Sequence, residues 1–226
     1  MKKYELTTEC KEIGNIRLFR VKALTSFGNA QAGELGGYIE KEDNLSQDGN
    51  ARIRGNAIVS GNAWVRGNAW VEGNAWVEGN ARVGGNARVR GNARVIGNAL
   101  VSDNARVDGN AEVRGNAEVR GNARVGGNAR VIGNARVDGN AEVGGNALVR
   151  GNEDYTTIKG FGREYRNTTF FRQKNGSIGV VCGCFYGTLD EFRKKVRETH
   201  GESKYAKEYL MIADLMEMHF DRSEGK

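Results

Sequence analysis

The six-residue phrase Gly-Asn-Ala-x-Val-x constrains this chain more than any other feature. Valine recurs at every sixth position from Val59 to Val149 without a miss, with alanine two residues before it and asparagine three before. A helix turns once per ~3.6 residues, so a period of six would scatter the valines around every face. Ala-x-Val instead matches strand alternation, with Ala and Val on one side and x on the other. Gly-Asn supplies a corner, because both residues tolerate the left-handed backbone region. One hexad is therefore a short strand of about three residues plus a turn. Alone it cannot bury its valine, so successive coils must stack around a shared core.

The glycines, 33 in all with no proline, follow this period and so mark architecture, not disorder. The pattern of an aliphatic residue followed four positions later by a small one, as in Val59/Ala63 through Val143/Ala147, resembles the hexapeptide-repeat family. That resemblance implies a mainly β fold: a left-handed parallel β-helix with three hexads per triangular coil. The same register, carried upstream, reads Leu35/Ile39, Lys41/Leu45, Gln47/Ala51 and Ile53/Ala57. Residues 35–152 then hold about twenty hexads, or six to seven coils. At a sheet spacing of ~4.8 Å this is a prism roughly 30 Å long.

Open coil ends expose sheet edges and core, so both need covers. Residues 1–34 read as an N-terminal cap built from a hairpin or strand pair. Residues 153–226 read as a C-terminal α+β unit that caps, oligomerises or recognises. In it "TTIKGF" and "TTFFRQKNGSIGVVCGCF" read as strands, the second a hairpin turning at Asn175-Gly176. "TLDEFRKKVRETHG" reads as a helix with Thr188 as N-cap, Glu191 completing the capping box and Gly201 past its end. A second helix aligns Tyr205, Tyr209, Ile212, Met216 and Phe220 on one face, read as local core in preference to an oligomer contact.

The net charge of +6 permits a polyanionic partner without announcing one, and most of the excess lies on residues 58–150. Three cysteines in no framework spacing, no apolar run long enough for a bilayer and no leader pattern at "MKKYELTTEC" point to the cytoplasm.

The hexapeptide-repeat resemblance brings trimeric acyl- and nucleotidyltransferases into view. Those acyltransferases usually employ a histidine on the helix, and carbonic anhydrases of this fold hold a metal through three. Here the two histidines, His200 and His219, lie beyond the coils, and no loop interrupts the valine register. A non-enzyme without metal or cofactor is the expectation. Cys182-x-Cys184 would place both sulfurs on one side of a strand, with His200 as a third metal ligand; the alternative is two small residues packed in a hairpin. The Gly-Asn corners are not phosphate loops, since no helix N-terminus follows them.

What can carry recognition is the outward residue before each valine. Taking every third hexad gives three columns. The first is Ile58, Trp76, Arg94, Glu112, Arg130, Leu148, and the second Trp64, Arg82, Leu100, Glu118, Arg136. The third is Arg52, Trp70, Arg88, Arg106, Arg124, Glu142, with Arg54 and Arg90 one strand position away. Stacked like charges are destabilising unless carboxylates intervene, and Glu72 and Asp108 are placed to do so. The third column reads either as an ordinary charged face or as an anion-binding stripe. Trp64, Trp70 and Trp76 occupy one level on three different sides, which suits packing under the N-terminal cap or a collar-like contact.

Three segments, "LFRVKALTSFGNAQAGELGGYIEKEDNLSQDGNA", the GNAxV array and "VVCGCFYGTLDEFRKKVRETHG", make the chain similar to a group of phage- and prophage-encoded hexapeptide-repeat proteins. The leading expectation is thus a phage-encoded binding or scaffold protein acting on a host cytoplasmic component, such as a defence protein, a nucleic-acid complex or a nucleotide signal. The second is a trimeric transferase with an inter-subunit site. A homo-oligomer is expected in either case, a trimer before a dimer, as is no membrane contact.

Overall fold

The computed structural model describes residues 1–222. Its first strands, β1 (Tyr4–Ile13) and β2 (Ile16–Ala23), form an antiparallel hairpin, and β2 pairs in turn with β3 (Leu35–Ile39). Seventeen short strands follow, β4 (Arg52–Ile53) to β20 (Leu148–Val149). The chain then forms β21 (Tyr155–Phe161), β22 (Arg166–Arg172), β23 (Ile178–Cys182), β24 (Phe185–Thr188), α1 (Leu189–His200) and α2 (Lys204–Phe220).

The short strands stack in parallel into three sheets of about six turns, a β-solenoid. Every alanine and valine of the repeat from Ala69 to Val149 is at most 1 % exposed, because both point inward from each strand. Each valine pairs in register with the one eighteen residues on, as Val89 does with Val107 and Val107 with Val125. Regular strand covers two residues in most hexads, one fewer than expected, and four at Trp76–Gly79, Arg94–Gly97 and Glu112–Gly115. The turn consumes the remainder of each hexad.

At the corners the work divides between the two residues differently from expectation. Glycine alone takes the left-handed conformation, as at Gly91 and Gly109, while the asparagine does not. A Cβ on Gly91 would also lie 2.9 Å from the carbonyl oxygen of Gly109 in the next coil, so stacking excludes a side chain there. Asparagine's part is the ladder: Asn56 donates to Asn74 at 3.4 Å and Asn74 to Asn92 at 3.1 Å, and the other two corners repeat this. Asp103 is the exception, the one residue other than glycine at this corner position from Gly49 to Gly145, at φ 60°, and its carboxylate accepts from the Gly121 amide at 2.9 Å.

Upstream of Ile53 the expected register is displaced. Ile39 pairs with Val59 and Leu45 bridges to Val65, each twenty residues on, whereas Ile53 pairs with Val71 at eighteen. Ile39 and Leu45 therefore occupy the valine slots, and Leu35 is exposed. The two additional residues fall between Leu45 and Ile53. They free Gln47 from the core, and its amide oxygen accepts from the Lys3 amide at 2.8 Å. The hairpin continues the first face and closes the open coil: the Lys3 ammonium donates to the carbonyls of Asp48, Gly49 and Ala51 at 3.4, 3.4 and 3.0 Å, and the Tyr4 hydroxyl to Leu45 at 2.6 Å.

The other end is closed by the sheet β21–β22–β23–β24. Strand alternation gives this sheet two apolar faces. Phe171 and Val181 join the solenoid core, while Phe170 and Val180 pack with α1 and α2. The order is coil, sheet, helices. The cap is pinned by Asp154, 1 % exposed, which accepts from the Arg150 amide at 2.8 Å, Arg172 at 3.3 Å and Arg222 at 2.6 Å. The capping box at Thr188 and Glu191 and the glycine stop at Gly201 are present. On α2, Tyr209, Ile212, Met216 and Phe220 are buried core, with Tyr205 at its margin.

A candidate anion-binding cleft where the cap overhangs the third face

The third column forms as expected. Arg88 pairs in register with Arg106, Arg106 with Arg124, and Arg124 with Glu142. The six candidate arginines nevertheless separate into two environments. Arg52 is buried against the Trp70 ring, its guanidinium 4.0 Å from the ring centre; burial, then the nearby Arg54, lowers its pKa. Arg54 is paired with Glu34. Both lie against the N-terminal closure, where the loop carrying Glu34 folds over them, so their surroundings differ from those of the rest of the stripe. Glu72 makes no ion pair with the column among the described residues.

Arg88 lies 5.8 Å from the Trp70 ring centre and Arg90 lies 3.6 Å from Asp108. Arg106 and Arg124 have no carboxylate within 4.0 Å among the described residues. The other two faces supply the internal comparison. There Arg130 bonds Glu112 at 2.8 Å and Arg136 bonds Glu118 at 2.9 Å, each one coil apart. Where the column alternates in sign, the arginines neutralise one another's neighbours; where arginine follows arginine, they do not.

These two cations line an open cleft of about 490 Å³. Arg90, Asp108 and Glu142 complete its solenoid wall, and the hairpin turn from Gly183 to Tyr186 overhangs it. The Tyr186 ring stacks on Phe171 at 6.4 Å, and its hydroxyl sits over Gly145, where a Cβ would have no room. Tyr186 is itself half exposed. The cleft thus offers two free guanidinium forks, an aromatic edge and two carboxylates. It can hold carboxylate or phosphate oxygens in charge-assisted hydrogen bonds.

The tryptophans sit on three faces, one per sheet, as the register requires. Trp76 packs against Leu18, Tyr38 and Ile58 beneath the N-terminal hairpin, Trp70 lies between Arg52 and Arg88, and Trp64 is covered by Arg66 at 4.6 Å. All three are partly buried, and they do not form one contact surface.

Cys182 and Cys184 do not share a strand. Cys182 ends β23, Gly183 and Cys184 form a two-residue turn, and Phe185 pairs with Cys182. The reading of both sulfurs on one side of a strand fails at that turn. Cys182, Cys184 and His200 do line one cavity, but no trio of His, Cys, Asp or Glu among the described residues is placed to hold a metal ion. Tyr186 escaped sequence reading because "VVCGCF" was read as a continuous strand; the Gly-x step between two apolar runs was the available turn signal.

Residues 123–139, which include Arg124, match the family described as YdcK beta solenoid repeat. The repeats are those of a β-solenoid. No curated protein matches the chain. Among the described residues no helix is long and apolar enough to cross a membrane.

Proposed function

We propose that this protein is a non-catalytic binding scaffold that recognises a carboxylate- or phosphate-bearing partner at the cleft beneath the C-terminal cap. The observation that carries this reading is the pair Arg106 and Arg124, stacked in adjacent coils without a carboxylate partner. Stacked like charges cost stability, so a ligand that neutralises them recovers it. The coil spacing of ~4.8 Å suits clustered carboxylates or a compact phosphate group better than successive phosphates of a duplex. The resemblance to phage- and prophage-encoded chains supports, within this proposal, a partner from a bacterial host's cytoplasm. Self-association belongs to the same proposal, as a trimer through the flat faces or a dimer through α2, where Met211, Leu215 and Met218 are exposed. Sedimentation that finds only monomer at micromolar concentration would remove that part.

The binding test uses polyglutamate and adenosine triphosphate as probes, titrated by fluorescence anisotropy at low and high salt. Replacing Arg106 and Arg124 together by glutamine should weaken one of them by tenfold or more, since each charge-assisted contact contributes ~1.5 kcal/mol. Salt should have the same effect on the parent protein. Arg82→Gln on the second face should change nothing. Equal binding by the parent and the double variant sinks the reading.

A further inference from the structure

The turn that overhangs the arginine cleft has a second side. There, Cys182, Cys184 and Phe185 border a separate cavity of about 340 Å³ between the sheet, α1 and α2. Its wall is aromatic and aliphatic. Phe185 and Phe192 have ring centres 5.6 Å apart, and Phe192 meets Tyr209 edge-on at 5.6 Å. Val196 adds to this wall. Its mouth is basic: Arg163, Arg166, Lys195 and His200 line it, against the single carboxylate of Glu164.

That carboxylate does not neutralise the mouth. Glu164 reaches Arg163 only at 3.9 Å, and Lys195 reaches Glu198 only at 3.9 Å. Arg166 has no carboxylate within 4.0 Å among the described residues, and its guanidinium lies over the turn at Gly183, where a Cβ would come within 2.5 Å of it. The polar atoms inside are few and already oriented. The Tyr209 hydroxyl donates to the Phe161 carbonyl at 3.3 Å and Thr168 donates to the Cys182 sulfur at 3.2 Å. Burial and the neighbouring Cys182 push the Tyr209 pKa up to about 12, so the phenol stays neutral and the cavity gains no internal negative charge.

An apolar wall with a few convergent polar or charged groups is how sites for small molecules are built, usually in volumes of about 300–1,000 Å³, and here most of the charges are positive. We propose that this cavity binds a small flat anion, an aromatic body of one or two rings bearing a carboxylate or phosphate, with the rings on Phe185, Phe192 and Tyr209 and the acid at Arg166 and Lys195. The volume lies at the low end of that range, which suits a small body. A neutral hydrocarbon would leave the cations without a partner, and a bare inorganic anion would leave the ring wall facing water. The cavity shares the turn residues Cys184 and Phe185 with the arginine cleft but none of its charged side chains, so the two can be tested separately.

The test uses 2-naphthoate and 2-naphthyl phosphate as the two acid sources, with 2-naphthalenemethanol and inorganic phosphate as the half-ligands. Binding is followed by the amide resonances of Cys182, Gly183 and Thr199. At least one aromatic acid should bind tenfold or more tightly than either half-ligand, with shifts at those amides. Thr199→Trp, an exposed position at the mouth, should block it, and Arg166→Gln with Lys195→Gln should weaken it tenfold or more. Melting temperatures confirm that each variant folds. The Arg106→Gln/Arg124→Gln pair should leave it unchanged, which separates failure here from failure of the cleft. The proposal is overturned if the alcohol binds as well as the acids, if both sets of pocket variants bind like the parent, or if no aromatic acid binds at millimolar concentration.

Discussion

Asp154 holds the C-terminal cap to the last coil, and its removal should release that cap selectively. Its carboxylate is buried and accepts three bonds, from the Arg150 amide, Arg172 and Arg222. The Arg222 side chain is 55 % exposed, so water replaces that contact at a cost of ~0–1 kcal/mol. Arg172 is only 16 % exposed and keeps one other partner, the Phe220 carbonyl at 2.6 Å. Breaking a buried pair by deleting one member leaves an uncompensated charge and costs ~3–5 kcal/mol. Asp154→Ala should therefore fall in that range. Asp154→Asn, which keeps an acceptor oxygen and loses the charge, should cost about half as much. Hydrogen exchange reads this by region. Amides of β22, β23 and α2 should exchange roughly a hundred- to a few-thousand-fold faster in the alanine variant, at 1.4 kcal/mol per factor of ten. Amides of the central coils, such as Val107 and Val125, should not change, because each repeat is stabilised by its immediate neighbours. If cap and central coils loosen together, or the cap does not loosen, the reasoning about Asp154 is wrong.

Two further predictions concern the stack and its N-terminal closure. Val107→Asp places an unpaired carboxylate between Val89 and Val125; it should cost several kcal/mol, ~3–5, and lower the thermal midpoint, and a melt like the parent's would overturn the inward assignment. Burial lowers the Lys3 pKa to about 8 from its ordinary 10.5, partly countered by Asp48. The unfolded chain then binds the extra proton above pH 8, so stability from this group rises from about pH 8 toward pH 10. Burial raises the Tyr4 pKa above its ordinary 10.0, which has the opposite sign and removes stability above that pH. Chemical denaturation across pH 7–11 should show the rise, and Lys3→Met should flatten it; an unaltered slope would exclude Lys3 as the source.

How much of this was legible in the sequence follows from where the repeat is perfect. From Ile53 to Val149 the period alone assigned every inward residue and the three columns, because one hexad admits one register. Periodicity has no power where residues are inserted. The two additional residues between Leu45 and Ile53 moved Leu35 out of the core and shifted Ile39 and Leu45 from the alanine slots to the valine slots, and no composition signal marks that step. The period places Arg52 in the third column and Arg54 one strand position away. What sequence could not supply was the loop at Glu34 folding back over them, a contact between residues twenty apart. Cys182-Gly183-Cys184 failed for a local reason: a two-residue turn looks like a strand when apolar residues flank it on both sides.

The placement of the candidate cleft follows from the same division. A solenoid with an unvarying alanine and valine interior can change only its outward residues without altering its fold, and those residues form shallow, nearly flat faces. A flat face of alternating charge neutralises itself, as Arg130 with Glu112 and Arg136 with Glu118 demonstrate. Recognition by such a protein requires a place where alternation fails and a wall gives depth. Arg106 and Arg124 supply the first. The wall comes from the cap, whose edge strand β24 begins with Phe185 and Tyr186 beside the last coils. Neither feature forms a site by itself: the arginine column continues past the cleft to Arg88 as an open surface, and Tyr186, stacked on Phe171, offers by itself only an aromatic edge. On the proposed reading, their meeting at the third face would make the junction between solenoid and cap, not the length of the solenoid, the place where selectivity resides.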